Sequence, residues 1–122
     1  MTEAEVIELV GIHGGNAITS FTVYISFTFG FLATAHFVGA SLTSAQTTVA
    51  TVLYWVAAAS ATACHALFNQ IVFATLESSP TLLDDLPLMQ GAVWVWGMVF
   101  IELSGIAAST YFMWSVRHPK TE

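Results

Sequence analysis

Residues 17–40 read AITSFTVYISFTFGFLATAHFVGA, an apolar run long enough to cross a bilayer, which takes about 20 residues in an α-helix. His36 is the only strongly polar member of this run, and it lies late in it. Two further apolar runs follow at about residues 49–74 and 89–116. None of the three runs alternates between apolar and polar residues, as strands of a membrane barrel would. The sequence therefore predicts an all-α integral membrane protein with three transmembrane helices and short interfacial segments.

The composition agrees with a membrane protein and excludes several other classes. The chain has 122 residues, which indicates a single domain over residues 1–122. Hydrophobic residues make up 56% and charged residues 8%, against the roughly 25% charged that soluble domains carry. Only two residues are Lys or Arg, too few for a nucleic-acid-binding face. We therefore expect the chain to interact with the lipid bilayer and not with nucleic acid.

The segments between the apolar runs predict where the helices begin and end. Gly14, Gly15 and Asn16 are expected to break the chain, with Asn16 capping the first membrane helix and residues 1–12 forming a separate surface helix. The short polar link at residues 41–48 predicts an antiparallel hairpin of the first two helices. Ser79 followed by Pro80 is a helix-start signal and predicts a short interfacial turn.

The charge distribution predicts the orientation in the membrane. Arg117 and Lys120 both follow the third apolar run, so the positive-inside rule places the C-terminus in the cytoplasm and the N-terminus outside the cell (inner) membrane. Aromatic rings are expected to anchor the helices at both interfaces. The predicted anchors are Trp94 and Trp96 at the outer interface and Tyr54, Trp55, Tyr111 and Trp114 at the inner one.

One carboxylate lies inside the third apolar run, and an ionisable residue at such depth is a candidate functional site. Glu102 lies about 20 Å from the start of its predicted helix. His65 lies at a similar depth on the second helix, with Asn69 one turn away on the same face. Tyr24 and Thr28 form a polar pair on the first helix. Two interpretations stay open: a proton relay or cation site lining a path, or a hydrogen-bonded contact between helices with Glu102 neutral.

Small residues predict where the helices approach one another, because apolar burial does not drive association in lipid. The second helix has small residues on every side over positions 57–64, which indicates packing on several sides. We therefore expect a homo-oligomer or a larger membrane complex. The predicted packing positions are Gly30, Ala35, Gly39, Ala59, Ala63 and Gly105.

The histidines do not predict a metal site. None of the four stands in an HxxxH or HxxE pattern, and His36 lies about 20 Å in depth from His65. We therefore expect no metal and no cofactor, with a histidine-ligated haem as an alternative. The sequence shows no nucleophile–base pair, phosphate loop or carboxylate dyad, so we do not expect an enzyme.

A short motif after the middle of the first run carries a resemblance to known proteins. The motif consists of Gly30 with Leu32, Val38 with Gly39, and Leu42-Thr43 followed by Gln46. It resembles a group of small, uncharacterised bacterial three-helix membrane proteins and covers about a seventh of the chain. His36 departs from the aromatic residue usual in that group. The resemblance implies the three-helix topology and no activity; Thr43 and Gln46 suit a helix cap.

Three functional hypotheses follow from the sequence. The first is an accessory or assembly subunit of the membrane with no chemistry of its own. The second is a homo-oligomeric channel or transporter with a polar path around Glu102, His65 and Asn69. The third is a membrane subunit that carries a haem or an electron through a histidine.

Overall fold

The computed structural model describes residues 1–84 and 92–120. It consists of α1 (Glu3–Val38), a 3-10 turn (Gly39–Ser41), α2 (Ser44–Glu77), the short α3 (Pro80–Asp84) and α4 (Ala92–Arg117). These residues contain no strand, and α1, α2 and α4 are each long and apolar enough to cross a membrane. The prediction of an all-α membrane fold with three spans is confirmed.

Helix α1 is continuous, and the predicted break at Gly14-Gly15-Asn16 is wrong. Thr2, not Asn16, caps the helix: its side chain accepts from the backbone N–H of Glu5, whose carboxylate in turn accepts from the N–H of Thr2. Two glycines in a helix cost about 2 kcal/mol together relative to alanine. Packing of the buried residues Val6 and Ala17 on either side of them offsets this cost. The first residues of the chain therefore extend the membrane helix instead of forming a separate one.

The link between α1 and α2, here called the joint, forms the predicted hairpin. Thr43 and Gln46 form a capping box, in which the Thr43 hydroxyl accepts from the Gln46 N–H and the Gln46 side chain accepts from the Thr43 N–H. Helix α2 therefore begins at Ser44, before the predicted residue 49, and it extends to Glu77. Arg117 donates across the bundle to the carbonyl oxygens of Gly39 and Leu42. This contact fixes the C-terminal turn of α4 against the joint.

The region between α2 and α4 is described in part. The short helix α3 starts at Pro80, as the Ser79-Pro80 pair predicts, and Thr81 donates to a Glu3 carboxylate oxygen at 3.1 Å. The predicted start of the third apolar helix at residue 89 lies outside the described residues. The described part of α4 ends at Arg117.

The core lies between the three long helices. Helices α1 and α2 pack along much of their length, and α4 packs less extensively on both. The buried side chains of the main cluster are Tyr24, Phe31, Ala35, Tyr54, Ala58, Ala61 and Met113. Many large apolar side chains point outward instead, among them Phe29, Phe37 and Phe100, each more than two-thirds exposed. An outward-facing apolar surface is the arrangement that helices in lipid require.

Candidate functional site

Glu102 and His65 meet in the interior of the bundle. Oε1 of Glu102, on α4, forms a hydrogen bond with Nδ1 of His65, on α2. Glu102 has no exposed surface, and His65 is 7% exposed. The antiparallel course of α2 and α4 brings the two residues to the same level, as their depths in the sequence predict. The contact joins two helices through a buried acid and a buried base.

Asn69 lies beside this pair and contacts it through the backbone. Its Nδ2 donates to the carbonyl oxygen of His65 at 3.0 Å, one turn earlier in α2. The ring of Phe21, on α1, packs on the His65 ring with 5.3 Å between centroids. The Asn69 side chain therefore supports the turn that carries His65 and does not bind the Glu102 carboxyl group.

Tyr24, on α1, adds a contact from the remaining long helix. Its hydroxyl donates to the main-chain carbonyl oxygen of Glu102 at 2.7 Å. The approach depends on Gly105, because a Cβ atom there would lie 2.1 Å from the Tyr24 hydroxyl oxygen. All three long helices thus meet at Glu102, α2 at its side chain and α1 at its backbone.

Thr28 belongs to a different contact. Its hydroxyl lies 3.1 Å from that of Tyr54, whose ring stacks on Phe31 with 4.2 Å between centroids. Tyr54 is 4% exposed, so the prediction that it anchors the helix at the interface is wrong. The tyrosine ring is buried because its hydroxyl finds a partner inside the bundle. The structure therefore joins Glu102, His65, Asn69 and Tyr24, and Thr28, whose hydroxyl bonds Tyr54, lies beside Tyr24.

Three buried polar atoms have no hydrogen-bond partner within the described part of the chain. They are Oε2 of Glu102, Oγ1 of Thr62 and Nδ1 of His13. Thr62 lies one helical turn from His65 on the same buried face of α2, a spacing that the sequence displays. His13 stacks on Phe68 with 6.1 Å between ring centroids. The sequence does not single out either residue, because residues 57–64 predict helix packing and His13 precedes the predicted start of the membrane helix at residue 17.

A cavity of about 330 Å³ adjoins the pair. It lies on the side of Glu102 and His65 that faces α3, and His65 and Asn69 line it. The remaining lining residues come from all three long helices: Val10, Gly14, Ala17, Ile18, Phe21, Val72, Trp94 and Met98. Glu102 is not among them, so of the two bonded residues it is His65 that borders the cavity.

The predicted packing residues divide into two groups. Ala35 and Gly39 are buried, and a Cβ on Gly39 would contact Met113 and Val116 of α4. Gly105 contacts Tyr24, as described above. Gly30, Ala59 and Ala63 face outward on α1 and α2, and a Cβ on Gly30 would meet no atom within 4 Å. Within the chain, the close approach to α2 uses the buried residues Ala58 and Ala61 instead.

The described residues contain no group of three or more His, Cys, Asp or Glu side chains that would hold a metal ion. Nδ1 of His65 is engaged by Glu102, whereas His36 is exposed and adjoins an apolar groove near the other end of the bundle. His118 stacks on Trp114 outside the core.

Comparison with known proteins adds no assignment. No protein-family model matches the sequence, and neither curated proteins nor solved structures gave a significant match. A functional proposal for this chain therefore rests on its sequence and its geometry.

Proposed function

We propose that this chain is an accessory or assembly subunit of a membrane, without chemistry of its own, that associates with copies of itself or with a larger membrane protein. The observation that supports the proposal is the outward position of Gly30, Ala59 and Ala63. In lipid, helices associate where small residues permit close backbone approach. These three residues provide such positions on faces that no other described part of the chain covers.

The surface around these residues supports the same proposal. Gly30 opens a groove of about 380 Å³ between α1 and α2, lined also by Phe27 and Leu53. Farther along α2, Ala59 and Ala63 are spaced four residues apart, so they lie one turn above each other on one exposed face. A helix of a second molecule would pack against this face at short distance.

The membrane and the orientation are part of the proposal. Arg117 and Lys120 favour a cytoplasmic C-terminus in the cell (inner) membrane. The turn at Gly39–Ser41 shares that side, because Arg117 binds to it. The N-terminus and the short helix α3 then lie outside.

A channel or transporter is the second candidate, and the buried Glu102–His65 pair is the observation that favours it. Both residues, together with Asn69, face the interior of a single chain. A polar path around them would therefore run within the protomer and not between protomers. Proton or cation flux into vesicles that hold the purified protein, lost in Glu102→Gln, would support this candidate.

Cross-linking through the single cysteine tests association directly. Cys64 is exposed on α2 beside Ala63, so a helix packed on this face would bring Cys64 close to its partner. We expect mild oxidation of native membranes to give a disulfide-linked species. Ala63→Leu should abolish it, because the larger side chain separates the helices. Ala107→Leu, at an exposed position of α4, is the matched control and should leave it unchanged.

Native mass spectrometry of the gently extracted, untagged protein identifies what the chain associates with. Multiples of the chain mass indicate a homo-oligomer, and a second protein mass indicates a larger complex. A monomer without partner, together with no cross-linked species, would contradict the proposal.

A further inference from the structure

The buried carboxyl group of Glu102 has no fixed positive charge to neutralise it. The chain contains two Lys or Arg residues, Arg117 and Lys120. The Arg117 guanidinium binds the carbonyl oxygens of Gly39 and Leu42, and Lys120 is exposed at the far end of the chain. The basic group that does reach Glu102 is the imidazole of His65, which is charged only when it holds an additional proton.

The hydrogen bonds of Glu102 also indicate that its carboxyl group requires a proton. Oε1 contacts His65, whereas Oε2 has no partner among the residues that the structure describes. An ionised carboxylate with one hydrogen bond in a water-poor interior is costly in free energy unless it is neutralised. One proton shared by the pair removes this cost, either as imidazolium with carboxylate or as imidazole with carboxylic acid. Both forms have zero net charge, so the proton can move between the residues at constant charge.

The other ionisable groups near the pair do not take this role. On α1, the Tyr24 hydroxyl donates its hydrogen to the backbone carbonyl oxygen of Glu102. Also on α1, His13 precedes the cavity-lining Gly14, and its ring stacks on Phe68 and not on His65. From α2 the facing group is His65, and from α4 it is Glu102 itself. Within residues 1–84 and 92–120, the proton therefore belongs to the Glu102–His65 pair.

A route to the pair is built into the packing. His65 retains 9% of its side-chain surface and lines the 330 Å³ cavity together with Asn69. Glu102 has no exposed surface and does not line the cavity. A proton that arrives through the cavity meets His65 first and reaches Glu102 through the Nδ1···Oε1 hydrogen bond.

We propose that Glu102 and His65 form a proton-binding site, which exchanges its proton through the cavity between α1, α2 and α4. The pair takes up and releases a hydrogen ion in the folded protein, and His65 is the entry point. This inference is independent of self-association, since the site lies within one chain.

Infrared difference spectroscopy over a pH series tests the site. A protonated carboxyl group has its own stretching band, separate from the carboxylate bands. We expect such a band in the folded protein, and we expect its intensity to change reversibly over the pH series. Glu102→Gln should remove the band, and Glu77→Gln, at an exposed acid on α2, should not. His65→Gln should alter the dependence of the band on pH, because it removes the basic partner of Glu102.

The rate at which the carboxyl band responds to a pH jump tests whether the proton passes through the cavity. A Cβ on Gly14 would meet no atom within 4 Å, so Gly14→Leu places its side chain in the cavity without a clash at the backbone. We expect it to slow the response of the band to a pH jump several-fold. Gly15→Leu, at an exposed position outside the cavity lining, is the matched control.

Two results would overturn the proposal. One is a carboxyl band that stays constant over the whole pH series, and the other is the lack of any such band together with ring-nitrogen resonances of His65 that do not change with pH. Either would leave Glu102 as a packing contact only. If Glu102→Gln does not fold, two other measurements test the site. The carboxyl band of Glu102→Asp should change with pH, and so should the nitrogen resonances of His65 in the unmodified chain.

Discussion

The Tyr24 hydroxyl occupies the space that a side chain on Gly105 would fill, and it uses that space to donate to the carbonyl oxygen of Glu102. A residue of α1 thereby contacts the backbone of α4 at the level of the buried acid. The contact explains why the third helix has a glycine at this position, although glycine is unfavourable in a helix interior.

Gly105→Ala should destabilise the protein by about 1–3 kcal/mol, because the added methyl group forces Tyr24 to move. Tyr24→Phe should cost about 1 kcal/mol through the lost hydrogen bond. In the Tyr24→Phe background, Gly105→Ala should cost less than it does alone. Unfolding in detergent, followed by circular dichroism, gives the coupling. Gly97→Ala, at an open and exposed position, is the control, and additive effects would count against the contact.

Arg117→Gln should lower the free energy of unfolding by about 1.5–3 kcal/mol, the range for hydrogen bonds that involve a charged group. The loss arises because the carbonyl oxygens of Gly39 and Leu42 lose their guanidinium donor at the C-terminal end of α1. Thermal unfolding of the purified protein measures it. Lys120→Gln removes the same charge from an exposed position and should change stability little; equal effects would show that charge alone matters.

Thr43→Ala should cost about 1 kcal/mol, because it removes the acceptor for the Gln46 N–H at the start of α2. Amide hydrogen exchange should become faster at Gln46 and its neighbours and remain unchanged in the middle of the helix. Thr48→Ala is the comparison, since its hydroxyl binds only the Ser44 carbonyl of the preceding turn. Unchanged exchange at Gln46 would contradict the capping role.

Gly15→Ala should raise stability by up to about 1 kcal/mol, because α1 is continuous there and alanine is the better helix former. A loss of stability instead would indicate a backbone bend that needs glycine. The unfolding of Gly11→Ala, at a second open position in α1, is measured in parallel. The comparison separates an effect specific to position 15 from the general effect of replacing a helical glycine by alanine.

The sequence predicted the number and type of the helices because three long apolar runs with few charges permit little else in lipid. It also pointed to Glu102 and His65, because their depths agree in an antiparallel pair. The length of α1 could not be predicted in the same way. Local glycine signals favoured a break, whereas the packing of Val6 and Ala17 on the other helices, which only the fold displays, favours a continuous helix.

The division of the small residues also required the structure. Ala58 and Ala59 are identical neighbours, yet one is buried and the other faces outward. A helix with small residues on every side has no stripe from which the buried face can be read. The sequence also does not distinguish Gly30, which lies at an open position, from Gly105, which is in close contact with Tyr24.

The unbroken course of α1 has a mechanical consequence. Its 36 residues make a rod of about 54 Å, which carries acidic residues in its first turn and Tyr24 farther along its length. A glycine break would have absorbed a push or rotation applied at the acidic end. A continuous helix has no such break, so the first turn of α1 and the tyrosine that bonds the backbone of Glu102 belong to one uninterrupted segment.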